Sequence, residues 1–583
     1  MPGDRAHRAW ASIDIAAAPG LAASLGLLAL CLLAYLPGAL RLPAVDRTEV
    51  IFAETTRDMV ARGAWTDPRY GETIQQFRPI GTFWAQGVAA AATGPENARD
   101  IRVYRLPGVI AVTLAVLALY WLTVPLVGAT TALIAAALFA VAPLTVLVSQ
   151  LAIAEGLSLL PATVAMLALL RLYVSEDDRR SPWLALLFWA ALGAAMLINA
   201  LMIPILVAAT LIALYAFDRD LTWLKATRPL IGVPLALAIA SPWIIVRAHQ
   251  DGAPFAGMAW GEFIEALGGS QDMKLRAFPG TFVLALLLGF LPGTALLAPA
   301  ARRLWLGRDQ RLARFLLAWV LGYLIYLELL SSKPGTYTVQ AMFPALALGV
   351  ATLVSAHKDG TPPPKWYAIP WAALAALFVI AVFAVVYGAN STTPSLIAAA
   401  LIAAVAALFF TSAAEGRAGR LTRWAATSAA AFGVFAATLL GAVLPDIEKL
   451  WPAQLLQRTI AAACPAAANA RLGAVGFREP SGIFTLGLPH ATQSTDALFD
   501  ADPQIAIVES RWLNRYFVAN AARGQGQNVG TPLGCVSALN VMRGCPLSFA
   551  IYQRDPALAC APQTSTAKCQ TAENLPALKK ACD

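Results

Sequence analysis

Apolar windows of about 17 to 25 residues, long enough for a helix to cross a bilayer, recur along the chain between short polar stretches. They begin near Leu21, Leu106, Thr130, Gly156, Trp183, Ala200, Pro229, Gly280, Phe315, Gln340, Pro370, Pro394 and Ala425, which predicts about 13 transmembrane helices. The pattern changes after about Leu444. From there apolar and polar residues mix in short segments, among them "ARLGAVGFREPSGIFTLG" and "QIAIVESRWLNRYFVANAARG", which predict strands alternating with helices. The expected architecture is therefore an all-α polytopic membrane protein over residues 1–445, followed by a small α/β or α+β domain over residues 446–583. The first apolar run follows basic residues, as in a signal peptide, but its length of about 20 residues fits a retained helix with a cytoplasmic amino end.

Composition sharpens this picture. The chain is 58% hydrophobic and only 13% charged, where a soluble domain is nearer a quarter charged. The net charge of +9 does not point to nucleic acid, because the basic residues lie in short clusters between apolar runs instead of on one continuous face. The clusters "RLYVSEDDRR", "DRDLTWLKATRP", "ARRLWLGRDQRLARF", "HKDGTPPPKW" and "EGRAGRLTR" all fall on one side when the predicted spans alternate, which makes that side cytoplasmic by the positive-inside rule. An odd number of spans then places the tail outside, together with a loop from Arg41 to Tyr104, a second from Arg247 to Gly280 and a short third, "SSKPGTYTV".

Cysteine usage agrees with an outer tail. Cys31 lies in the first apolar run, whereas Cys464, Cys535, Cys545, Cys560, Cys569 and Cys582 all lie in the polar tail. An even set confined to one segment suggests disulfides formed in an oxidising compartment, with the connectivity open. A metal site is the weaker alternative, since the tail has no C-x2-C pair and only one histidine, His490.

Candidate chemistry lies at the outer ends of the spans. In "VDRTEVIFAETTRDM" the acids Asp46 and Glu49 are three residues apart, so a helix there would carry both on one face, with Ala53 next and Glu54 turned away. A solvated surface helix explains the same charges without chemistry. Arg78 opens "RPIGTFWAQ", where it can meet a substrate or lipid headgroups. Glu155, in "VSQLAIAEGLSLLP", has no charge near it in sequence and sits where two spans adjoin, a costly position that usually lines a cavity or pairs. Lys333 and Tyr337 flank the Pro334-Gly335 break and can offer a cation and a phenol to a phosphate, while a snorkelling lysine is the plain alternative. Asn199, between two spans, suits hydrogen bonding between helices.

These segments, in this order, resemble the GT-C superfamily of polytopic glycosyltransferases that use polyprenyl-phosphate sugars, including the aminoarabinose transferases acting on lipid A and the protein O-mannosyltransferases. "DRTEVIFAETTRDM" is similar to that family's D-R-D-E-A-R-F-A-Q-x-x-x-x-M, "RPIGTFWAQ" to K-P-I-G-I-Y-W-L-Q, "LAIAEGLSLLP" to its A-K-T-D-A stretch, "SKPGTY" to T-K-L-P-H-Y and "GFREPSGIFTLG" to its outer-domain segment. The resemblance assigns Glu155 to the family's membrane-edge Asp, Arg78 to the K-P cation and Lys333 to the phosphate-contacting lysine. The departures are as specific. Thr48 stands where the family has its acceptor-activating Asp, Asn199 where it has the lysine of a K-G-P turn, and Thr336 where it has the histidine of K-L-P-H-Y.

The resemblance implies transfer of a sugar from a polyprenyl-phosphate donor to a lipid or protein acceptor of the envelope, on the periplasmic side of the bacterial inner membrane. In that reading Arg78, Lys333 and Tyr337 bind the phosphate, Glu49 or Asp46 serves as base, and Glu155 orients acceptor or sugar. The lost acid and histidines keep a second class open, an eroded scaffold that binds a lipid or a partner without transfer. A transporter is a third, and scarce intramembrane charge speaks against it. The chain carries no nucleotide-binding fingerprint, and no cofactor is expected, with an acid-bound divalent ion left open.

Overall fold

In the computed structural model the described residues are 20–45, 47–71, 73–74, 78–175, 181–251, 278–330, 335–357, 396–465, 467, 470–477, 479–489, 495–523, 530–540 and 545–561. Two of the candidates, Asp46 and Lys333, lie outside them, as do the predicted span near Pro370 and most of the second outer loop. The chain divides into two compact units: residues 1–41, 55–382 and 394–442 form the first, and residues 42–54, 383–393 and 443–583 the second.

Unit 1 is helical. In chain order its described helices are α1 (Leu21–Arg41), the end of α2 (Thr48–Ala61), α3 (Gly81–Thr93), α4 (Ile101–Val127), α5 (Ala129–Val141), α6 (Pro143–Ser149), α7 (Ala154–Val174), α8 (Pro182–Ile198), α9 (Met202–Asp218), α10 (Pro229–Ala240), α11 (Pro242–Asp251), α12 (Thr281–Gly289), α13 (Leu297–Leu306), α14 (Arg311–Ile325), α15 (Phe343–Ala356), α16 (Leu396–Arg417) and α17 (Leu421–Thr438). A two-stranded hairpin, β1 (Arg69–Tyr70) with β2 (Thr73–Ile74), lies between α2 and α3. The core is built on α4 and α7, which pack on each other, α4 also against α1, α3 and α5, and α7 against α8. Fully buried Ala115, Ala132, Ala135, Ala136, Ala165 and Ala168 keep these helices close, as small residues do where lipid supplies no hydrophobic drive for helix association.

Seven of the described helices are long and apolar enough to cross a membrane, or up to ten if each of three bent pairs counts as one span. The bends fall between residues 129–141 and 143–149 (64°), 229–240 and 242–250 (50°), and 281–289 and 293–306 (108°). Pro143 and Pro242 open the second helix of their pairs and Pro292 immediately precedes the third, each removing an N–H that a continuous helix would need. Residues 182–198 and 202–218 are shorter apolar helices. The expected count of about 13 spans is thus not reached among the described residues: two of the predicted windows are helices shorter than a span, and the one near Pro370 lies outside those residues.

Unit 1 gathers its charges at the ends of its helices. Where α7, α9 and α14 meet, Tyr173 donates its hydroxyl to Asp218 (2.7 Å), Arg314 pairs with the same carboxylate, and Arg311 bonds the Tyr173 carbonyl at 3.3 Å and lies over its ring. Three of the basic clusters in the sequence therefore converge at the carboxyl end of α7, about 30 Å from its first turn by helix rise.

Unit 2 is α/β. Its four-stranded sheet has the order β3 (Leu472–Val475), β4 (Ile505–Glu509), β6 (Cys545–Gln553), β5 (Thr531–Asn540), with β3 parallel to β4 and the other pairs antiparallel. Period-two alternation sends Ile505 and Ile507 to one face, with Leu456 and Ile460 of helix α18 (Pro452–Ala463), and Ala506 and Val508 to the other, with Phe499 of helix α20 (Thr495–Asp500) and Tyr516 of helix α21 (Leu513–Ala522). Between these lies α19 (Pro480–Leu486), so each sequence segment singled out above holds one strand and the helix that follows it. Cys464, at the end of α18, is disulfide-bonded to Cys560 beyond β6, 96 residues away, and Cys535 is disulfide-bonded as well. Ala561 N–H donates to the Ala463 carbonyl beside this bridge at 2.8 Å.

Replacing Cys464 and Cys560 together by serine opens a long loop and is expected to cost about 2–5 kcal/mol. Pulse proteolysis of the full-length protein in urea checks this: the midpoint for cleavage within unit 2 falls, while that of unit 1 stays.

Candidate functional site

Arg78 and Pro79 end an extended stretch, and α3 starts two residues later. Gly81 is required there, because a Cβ would stand 2.7 Å from the Leu197 carbonyl oxygen at the end of α8. Arg78 is partly buried, and its guanidinium acts electrostatically on the carboxylate of Glu155. The lone acid of the apolar segment thus has a cation, supplied from a loop distant in sequence.

Glu155 sits in the first turn of α7, just after Gln150 closes helix α6 with a bond to the Leu147 carbonyl and the chain crosses Leu151–Ile153 outside either helix. Buried carbonyls in such a break need donors, and two glutamines supply them while a third ties the break to α1. Gln86 Nε2 donates to the Ala152 carbonyl at 3.0 Å, with Gln86 Oε1 held by the Thr56 hydroxyl at 2.9 Å. Gln340 Nε2 donates to the Glu155 carbonyl at 3.1 Å. Gln150 Nε2 donates outward, to the Ala34 carbonyl of α1, at 2.9 Å. Glycine lets the backbones pass: a Cβ on Gly156 would lie 2.4 Å from the Val148 carbonyl oxygen and 3.9 Å from Cα of Gly108 in α4.

Tyr337 opens a 3-10 turn, Thr336–Met342, that also carries Gln340, so the Tyr337 segment is tied to the Glu155 backbone. On the near side of that loop, Glu328 accepts from three amides at the start of α12: Gly280 N at 3.0 Å, Phe282 N at 2.9 Å and Val283 N at 3.0 Å. That satisfies most of the orphan donors of the helix terminus. Asn199, expected to bond between helices, closes α8 and donates to the Met202 sulfur at the start of α9, 3.6 Å away.

Glu49 belongs to unit 2. It is 2% exposed and accepts from Val45 N–H at 2.8 Å. The solvated-helix reading of this segment is overturned: Glu54 is also 2% exposed, and Val50, Phe52, Ala53, Thr55, Thr56 and Met59 are all buried. The acid on the expected face, Glu49, and the one turned away from it, Glu54, are both buried. Of the sequence candidates, the structure joins the Tyr337 segment to the Glu155 backbone, places Glu155 within the electrostatic reach of Arg78 and assigns Glu49 to the other unit. The glutamines escaped notice in the sequence: each stands alone in an apolar run, and its signal is only that a buried amide needs partners. Among the described residues no group of three or more His, Cys, Asp or Glu could hold a metal ion.

Residues 78–246 match the dolichyl-phosphate-mannose-protein mannosyltransferase family. The undecaprenyl phosphate-alpha-4-amino-4-deoxy-L-arabinose arabinosyl transferase of Erwinia tasmaniensis is 28% identical over 414 residues, covering 68% of this chain and 72% of that one. A protein of the same name from Pseudomonas fluorescens is 28% identical over 322 residues, 52% of this chain and 55% of its own length. The crystal structures of ArnT from Cupriavidus metallidurans, apo and bound to undecaprenyl phosphate, superpose with a TM-score of 0.66 over 92% of this chain and 99% of theirs, at 16% and 17% identity.

Gly156→Ala forces a methyl against the Val148 carbonyl and is expected to destabilise by about 1–3 kcal/mol. Gly26→Ala, where a Cβ meets nothing within 4 Å, is its control, and thermal unfolding in detergent separates the two. In the same assay Glu328→Ala, which strips the α12 cap, is expected to cost about 1–2 kcal/mol.

Proposed function

We infer from the GT-C fold of this chain, which it shares with ArnT, that it is a membrane glycosyltransferase moving a sugar from a polyprenyl-phosphate donor to an acceptor of the bacterial envelope. The observation that carries the reading is Glu155 itself, an acid in the first turn of α7 that feels the charge of Arg78 and whose backbone is held by buried amides and small residues. A cation and an acid fixed at the edge of an apolar bundle suit a substrate whose phosphate lies at the membrane surface and whose sugar reaches inward.

The transfer is a displacement at the anomeric carbon: the acceptor oxygen forms the new bond and the polyprenyl phosphate departs with the electron pair of the old one. The departing phosphate gains negative charge, and Arg78, Lys333 and Tyr337 are the groups that would bind it with charge-assisted or phenolic hydrogen bonds. A neutral hydroxyl acceptor needs a base, a role for Glu49 or Asp46, since Thr48 cannot take a proton. An acceptor that arrives as an anion, such as a lipid phosphate, does not. We favour an anionic lipid acceptor of the lipid A type for that reason, with Glu155 orienting sugar or acceptor.

The basic clusters at the far end of α7 support a topology in which that end and the amino terminus are cytoplasmic. Glu155 and unit 2, with its disulfides, are then periplasmic. In this reading residues 1–445 carry transfer and residues 446–583 form an outer domain.

Envelope lipids and glycans from a deletion strain re-expressing wild type, Arg78→Ala or Glu155→Gln test the reading by mass spectrometry. A sugar-sized mass on a lipid, restored by wild type and reduced on the order of 10²-fold by Arg78→Ala, is expected. No sugar-sized difference between deletion and wild-type strains, with the protein present in the membrane, favours the non-transferring scaffold.

A further inference from the structure

Two buried acceptor atoms beside the Arg78–Glu155 pair have no hydrogen-bond partner among the described residues: Glu155 Oε2 and Gln340 Oε1. The Gln340 side chain is fully buried, and its orientation is fixed, because Nε2 donates to the Glu155 carbonyl. Flipping the amide would set one carbonyl oxygen against another, so Oε1 cannot be satisfied by exchanging the two ends. An unpaired buried carbonyl is costly, and each one in a folded protein calls for an explanation.

The other two glutamines of the same turn show what a purely structural role looks like. Gln86 has both ends engaged, Nε2 on Ala152 and Oε1 on Thr56. Gln150 Oε1 is unpaired but is pressed onto α1, where a Cβ added to Gly38 would fall 1.6 Å from it, so the helix backbone leaves it no room for a ligand. Gln340 differs from both. Its oxygen is an acceptor with no donor among the described residues, on a residue that also touches the Glu155 backbone, and the Glu155 carboxylate offers a second such acceptor.

We propose that Gln340 contacts the transferred sugar: Gln340 Oε1 and Glu155 Oε2 accept hydrogen bonds from two donor groups of the sugar ring, hydroxyl or ammonium hydrogens, while Arg78 faces the phosphate side. The proposal rests on the transferase reading and adds a specificity-determining residue to it. Two acceptors on two elements joined by one hydrogen bond fix a sugar by the spacing of its donors, so a sugar with different ring substituents loses one bond and leaves an acceptor unpaired, the situation in which a polar site discriminates strongly.

The test is steady-state kinetics of the full-length protein in nanodiscs, with lipid A as acceptor and two donors in parallel, undecaprenyl-phosphate aminoarabinose and undecaprenyl-phosphate mannose. The variants are Gln340→Ala and Gln86→Ala, which both loosen the turn around Glu155, though only the first removes an unpaired acceptor. For the preferred donor, Gln340→Ala is expected to raise KM at least tenfold and to shrink the ratio of kcat/KM between the two donors, while Gln86→Ala lowers kcat and leaves that ratio in place. Gln340→Met, which keeps the volume, is measured alongside and is expected to match Gln340→Ala, so a folding defect of the smaller residue does not decide the result. If Gln340→Ala and Gln86→Ala give the same profile with donor KM unchanged, Gln340 is only a clamp and the proposal falls alone. Wild-type protein that transfers neither sugar overturns the transferase reading and this proposal with it.

Discussion

The six residues from Gln150 to Glu155 cross the bundle where α6 has ended and α7 is just beginning, and an apolar surround offers their carbonyls no water. Everything at the candidate site depends on how that demand is met. Gln86 from α3 and Gln340 from the turn before α15 each donate to one carbonyl of this stretch. Gln150, from within it, ties the stretch to α1. Three elements remote in sequence are thereby fixed to one short piece of backbone. The acid at its end, Glu155, inherits their rigidity, and Gly108 and Gly156 admit the close crossing that makes the arrangement fit. A loop would have delivered the same carboxylate, but without a defined position.

The same economy governs charge. An ionisable group inside an apolar bundle is expensive unless paired, so charge in unit 1 collects at the helix ends. Glu155 feels the charge of Arg78 at one end of α7, and Tyr173, Asp218, Arg311 and Arg314 interlock at the other. Glu328 answers a different demand, the unpaired amides at the start of α12. With that cap the residues before Lys333 are anchored on one side and those after Tyr337 on the other. The short segment between two anchors is where the sequence places its phosphate-binding candidates.

What the sequence disclosed follows from which forces are local. Apolar run length marked the spans, and period-two alternation marked β4 and its neighbours in the tail, because both patterns repeat within a few residues. Glu155 was legible as an anomaly, an acid in apolar surroundings, and Arg78 as the cation that opens "RPIGTFWAQ". The proline bends at 142–143 and 241–242 were visible as residues but not as interruptions of a span. Helix α2 was misread as solvated because its acids are spaced like those of a surface helix, and only tertiary packing reveals Glu49 and Glu54 as buried. The glutamines were silent for the same reason: nothing local distinguishes Gln86, Gln150 or Gln340 from a tolerated polar residue, and their meaning lies in carbonyls far away in sequence.

Thr48 remains the most informative departure. A threonine hydroxyl can donate or accept a hydrogen bond, but it cannot hold a proton taken from an acceptor, so general-base work has to fall to a neighbour or disappear. Glu49 is one residue on and buried, yet one of its carboxylate oxygens already accepts from the Val45 amide. Taking a proton on that oxygen would exchange a charge-assisted bond to a backbone N–H for a weaker one, in a place with little water to compensate. That oxygen holds the 45–49 backbone. An acceptor that carries its own negative charge removes the demand at its source: it needs cations to bring it in and an acid to orient the sugar, the roles proposed above for Arg78 and Glu155.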